Sequence, residues 1–236
     1  MGSEREWRLE IGVVALVAAY SVFVGLSLPD WAYVPPNPMA TSAVLFLALN
    51  IGFSREEMGL EGSEVGSGLR WGSGSGLLIL AAVVVAAAIP AFRDYFADDR
   101  FLGVSAPLAG YQLLLRIPIG TVIFEEMLFR SFLLGMFLRR MGTIAAVLWS
   151  SALFGLWHII PTLNGLETNE LGDQVDSAAA TTATVAGAVV VTFIAGIGFC
   201  WLRLRSRSIV APMMAHLAVN TSAYLAGYLI VRNGWA

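Results

Sequence analysis

The chain has 236 residues, is 57% hydrophobic and 13% charged, and carries a formal net charge of -3 with a mean hydropathy of +0.73. Soluble domains average roughly 45–50% apolar and 25% charged residues, so the composition excludes an ordinary water-soluble globule and predicts an all-α, polytopic membrane protein. No basic stripe or long charge run offers a footing for nucleic acid, all 14 basic residues are Arg, which excludes a lysine amine as a base, and the single cysteine, Cys200, excludes an intramolecular disulfide or a Cys-based zinc motif.

A bilayer core takes about 20 apolar residues as a helix, and seven segments meet or approach that length. Leu9–Leu28 follows the charged "SEREWR" and reads as a retained first membrane helix, because no small-x-small cleavage site precedes "PDWAYVPPNP". Pro38–Phe53 is the second span. The Gly/Ser/Glu-rich stretch Ser54–Ser75 reads as a flexible linker, and Gly76–Phe92 as the third span. Pro107–Leu138 is long enough to span with tilt, or to bend near Pro118 and hide an eighth element. Thr143–Ile160 is the fifth span, and the acidic "NGLETNELGDQVD" is an exposed outer loop. In the sixth, Ser177–Leu202, the small residues Ala183, Gly187 and Gly196 suit close helix packing; Ser208–Val231 is the seventh. Residues 1–106 thus hold N-terminal membrane helices and a linker, and 107–236 a helical core, in one integral membrane domain. Counting Arg on alternate sides gives about nine against about three, which predicts a multi-pass protein of the cell membrane with its N-terminus in the cytoplasm and its C-terminus outside.

Ionisable groups inside those spans are few: Arg116, Glu125, Glu126 and Arg130 in the fourth, His158 in the fifth, and His216, with the amide Asn220, in the seventh. A charge at the centre of a membrane helix costs about 2.5–3.5 kcal/mol on insertion scales, so each needs a partner or a use. Arg116 reads as a snorkelling anchor, and Trp149, Phe154 and Trp157 as packing or interface residues. Glu126 and Arg130 have the i,i+4 spacing of an ion pair with the acid first. Glu125, about 100° round the helix, is left over. His216 and Asn220 share a face, as do Phe154 and His158. Depth lets Glu125 meet His158, since each lies roughly 21 Å from one end of its helix, whereas His216, roughly 12 Å into the seventh, is expected to sit shallower. A carboxylate with an imidazole can deprotonate water, and a second imidazole with an amide can donate to an oxyanion, where one donor is worth about 2.7–4 kcal/mol. The expectation is a conical or cavity-containing polar site within the membrane.

"EEMLFR", "FGLWH" and "HLAVN", in this order on three membrane segments, resemble the Glu-Glu-x-x-x-Arg, Phe-x-x-x-His and His-x-x-x-Asn motifs of the CAAX protease and bacteriocin-processing family, and within it the type II CAAX prenyl endopeptidases. The resemblance covers about Pro107 to Val231. It implies an intramembrane, glutamate-type endopeptidase in which Glu125 and His158 activate water, His216 and Asn220 stabilise the oxyanion, and Glu126 and Arg130 support them. It argues against a metal, although a Glu/His cluster has donors for zinc. The implied partners are a membrane-associated peptide or protein substrate and the lipid bilayer. A compact, lysine-free chain looks prokaryotic, where prenylated substrates are not expected in general, so a bacteriocin or leader peptide is an alternative substrate. A non-proteolytic protein for self-immunity or peptide binding is the alternative function.

Overall fold

The computed structural model of the chain describes residues 2–167, 175 and 177–235, and among these the fold is all-helical. Most of the acidic outer loop expected over 164–176 lies outside the described residues. Helix α1, Gly2–Ser27, ends just before Pro29, because a residue preceding proline is driven out of the helical region. Helix α2, Pro36–Asn50, begins on prolines, whose missing N–H costs nothing in a first turn. A single turn, α3 (Arg55–Met58), is closed by reciprocal bonds between Ser54 and Glu57 and ends at Gly59 in the left-handed region (φ 71°). Helix α4 is Val65–Ala88.

Residues 106–138 form one unbroken helical rod, α5. Its turns widen to π geometry over Gln112–Arg116, Pro118–Ile123 and Met127–Leu133. The wide turns flanking Pro118 take up its absent N–H and bulky ring without breaking the rod, so the bend foreseen there does not separate an eighth element. Helix α6, Thr143–Trp157, gives way at His158 (φ -85°, ψ 0°) to α7, Ile159–Leu166. Pro161 is the cause: it offers no N–H to the Trp157 carbonyl, and its ring would clash there in a continuous helix. Helix α8, Ala178–Ser206, and α9, Val210–Asn233, complete the chain.

The molecule is sorted inside out relative to a soluble protein. Residues 124–137 of the rod are buried without interruption, charged groups included, whereas Leu77, Leu78, Ile144 and Val191 on the surrounding helices are exposed. A helix buried all round is a central strut, and the exposed apolar ring suits lipid. Four described stretches are long and apolar enough to cross a membrane, Arg55–Ala88, Thr143–Leu166, Ala178–Ser206 and Val210–Asn233, with Ile11–Ser27 a shorter apolar helix. Seven or eight spans were expected from hydropathy; that count is not reached by this measure, which includes neither α2, at 15 residues, nor the rod.

The stretch expected to be a flexible linker is folded. Gly68 and Gly72 serve close approach: α4 lies along α9, and a Cβ at Gly72 would sit 2.8 Å from Met214 Sδ and 3.2 Å from the Ala211 backbone. The α8–α9 turn is tied beneath α3, with Arg207 exposed and Ser206, Ser208 and Ile209 buried. Arg203 donates from Nη2 to the Glu56 and Glu57 carbonyls at 3.0 and 2.9 Å, and the Ile209 N–H donates to the Gly59 carbonyl at 2.9 Å. Helix α9 therefore starts inside the molecule.

Candidate active site

Glu125 and Glu126 occupy a short α-helical turn of the rod, Phe124–Glu126, between two π-helical stretches. Arg130 Nη1 donates to Glu126 Oε1 at 3.1 Å, as the spacing predicts, and both side chains are fully buried. The Arg130 guanidinium carbon also lies 3.8 Å from the Phe154 ring centroid and 4.9 Å from that of Phe199. Its Nε and Nη2 have no hydrogen-bond partner, so these ring faces, on two other helices, supply the remaining stabilisation of the cation.

The buried start of α9 brings His216 to the same cluster, which corrects the shallow depth expected when the seventh span was counted from the surface. His216 Nδ1 is 2.8 Å from Glu126 Oε1, its Nε2 is 3.2 Å from Asn220 Nδ2, and Glu125 Oε2 lies 3.8 Å from the same Nε2. A carboxylate only accepts, so Nδ1 carries the proton towards Glu126. The imidazole stacks on Phe199 with centroids 5.1 Å apart and meets Phe154 edge-on. The phenylalanine of "FGLWH" is therefore shared by His158, Arg130 and His216.

Glu125 faces different neighbours. Trp157 Nε1 donates to its Oε1 at 3.1 Å, while Oε2 has no hydrogen bond to the protein. His158, at the α6–α7 break, directs Nδ1 to the Phe154 carbonyl at 2.7 Å, which leaves Nε2 as its free ring atom among the described residues. A cavity of about 450 Å³ is lined by Glu125, Trp157, His158 and Asn220, together with Arg100 and Arg116. Glu126, Arg130 and His216 stand behind its wall. Arg116, expected to be an anchor, lies over the Tyr33 ring at 4.9 Å.

The candidate residues thus divide into two layers. Glu125, His158 and Asn220 line the cavity, and His216, Glu126 and Arg130 form the buried layer that Asn220 and Glu125 touch. Trp157 was missed by sequence reasoning, which read it as packing. One signal was there to be used: a buried indole N–H needs an acceptor, and an unpaired carboxylate sits on the neighbouring helix.

Zinc requires three or four donors converging at about 2.0–2.3 Å. Among the described residues no group of three or more His, Cys, Asp or Glu side chains is arranged to hold a metal. Both ring nitrogens of His216 and one of His158 are already engaged. The residues present do not fit a zinc site, and no step below runs through a metal.

Residues 107–222, which contain all three motifs, match a family model described as type II CAAX prenyl endopeptidase Rce1-like. No curated protein and no solved structure matches the chain.

Proposed function

Residues 107–222 being a domain of the type II CAAX prenyl endopeptidase kind, a family of membrane proteases, we propose that this protein is an intramembrane endopeptidase that cuts a membrane-associated peptide or protein with water activated by Glu125 and His158. The observation that carries the reading is that Glu125, His158 and Asn220, one from each motif, line one cavity, with His216 within hydrogen-bond or ion-pair distance of Glu126, Asn220 and Glu125.

The chemistry follows from which atoms remain free. Water held between the Glu125 carboxylate and His158 Nε2 gives its proton to Glu125 and adds its oxygen to the scissile carbonyl carbon. The negative charge on the carbonyl oxygen is met by an Asn220 Nδ2–H, while the other Nδ2–H of that amide is accepted by His216 Nε2, so that His216 orients the oxyanion donor. Glu125 then passes its proton to the departing amide nitrogen, the C–N bond breaks, and a carboxylic acid and an amine are released. Glu126 and Arg130 hold His216 and do not touch substrate.

The test is quantitative peptidomics of membranes carrying wild-type protein or Glu125→Ala, followed by cleavage of the accumulating species by purified protein in liposomes. An uncleaved membrane peptide is expected to accumulate in the variant. Full peptidase activity in folded Glu125→Ala would overturn the reading.

A further inference from the structure

The first two helices lie outside the stretch that matches the family, yet both reach the carboxylate proposed as base. The link is Trp157. Its indole N–H donates to Glu125 Oε1 at 3.1 Å, and both side chains are buried. The ring is boxed in by Tyr20 of α1, stacked at a 6.4 Å centroid distance, and by Phe124 and Phe129 of the rod at 5.7 and 5.8 Å. Tyr20 is fixed in turn: its hydroxyl donates to Asn37 Oδ1 of α2 at 2.6 Å, and the Asn37 amide donates to the Gly120 carbonyl of the rod. A closed circuit therefore runs from the rod through α2, α1 and α6 back to the rod at Glu125.

An indole N–H donates, never accepts and does not titrate. It occupies Oε1 whether Glu125 is ionised or has taken up a proton on its other oxygen. With Oε1 tethered the carboxylate is held in one orientation, its Oε2 buried and 3.8 Å from His216 Nε2, and Oε1 keeps a second lone pair. We propose that Trp157 is a positioning residue that fixes the orientation of the Glu125 carboxylate, and that Tyr20 and Asn37 make α1 and α2 part of the active site by holding Trp157. A carboxylate without this anchor turns about its terminal torsion, which is broad and roughly two-fold, and presents its oxygens in turn. The inference rests on the reading of Glu125 as the base.

Trp157→Phe keeps an aromatic ring against Tyr20, Phe124 and Phe129 but removes the N–H. A hydrogen bond to a charged group lost from the reacting arrangement corresponds to a fall in kcat of roughly 10- to 100-fold, with KM within about twofold because substrate contacts remain. Tyr20→Phe, which keeps the ring and loses the tether to Asn37, is expected to lower kcat in the same way by a few-fold. The second readout is independent of activity: in protein labelled with ¹⁵N at the indole nitrogens, the Trp157 resonance, assigned by its loss in Trp157→Phe or by selective labelling, is expected to move in Glu125→Gln. An unmoved resonance, or wild-type kcat in Trp157→Phe alongside an inactive Glu125→Gln, overturns the positioning role. Wild-type activity in Glu125→Gln would instead remove the peptidase reading, and the resonance would still report the hydrogen bond.

Discussion

Glu125 and Glu126 are neighbours in sequence and opposites in setting. Glu126 is sealed: one oxygen serves both Arg130 and His216, and no part of the side chain reaches the cavity. Glu125 lines the cavity, tethered by one oxygen and unbonded at the other. Charge in an apolar interior survives by compensation, and a compensated charge is committed to structure. Each acid leaves its Oε2 without a hydrogen bond among the described residues, so the difference lies in what meets Oε1, a cation and an imidazole for Glu126 and a neutral indole for Glu125, and in which of the two lines the cavity.

That contrast can be broken at each of its members. Glu125→Gln keeps shape and the Trp157 acceptor but removes the base; turnover of a membrane peptide in liposomes should fall by about 10⁴-fold, the upper end for a general base, with thermal unfolding unchanged. Arg130→Met should act on folding instead. It leaves Glu126 buried without its cation, a change of about 3–5 kcal/mol, read as loss of monodisperse protein on size exclusion in detergent, and Glu126→Gln in the same chain should restore part of it. Asn220→Ala removes one oxyanion donor and should reduce kcat by about 10²–10³-fold while KM stays near wild type. The smallest effect belongs to an ion pair far from the cavity. Arg139 bonds Glu57 at 2.6 Å with both side chains more than a third exposed or close to it, and the hydrogen-bonded carboxylate raises the Arg139 guanidinium above its ordinary value. Glu57→Gln should therefore lower unfolding stability by only about 0.2–1 kcal/mol, measured in moderate salt. If Glu126→Gln by itself abolished turnover in a folded protein while Glu125→Gln did not, the roles of the two acids would be exchanged.

The sequence revealed the class of the fold and the members of the cluster for the same reason: in an apolar chain a polar residue stands out. Glu126 and Arg130 were paired by helical spacing alone, and the structure joins them. What the sequence hid was anything dependent on the third dimension at ambiguous composition. Glycine and serine over 66–76 read the same whether they loosen a linker or let α4 press on α9, and here Gly68 and Gly72 do the latter. The depth of His216 could not be counted from a helix end assumed to be at the surface, because the α8–α9 turn is drawn inside by Arg203 and Gly59. The service of Trp157 to Glu125 looked like packing because an aromatic beside a histidine in a membrane helix usually is.

The α8–α9 turn tied beneath α3 makes the length of residues 207–209 a ruler. Surface loops tolerate inserted residues, but this one is pinned at both ends, by Arg203 below Glu56 and Glu57 and by Ile209 on Gly59. One residue added between Ile209 and Val210 would turn His216 by about 100° and shift it about 1.5 Å along its axis, which carries the imidazole off Glu126 and takes Asn220 with it. The three residues that look most like a dispensable connection therefore set the phase of the helix that bears His216 and Asn220.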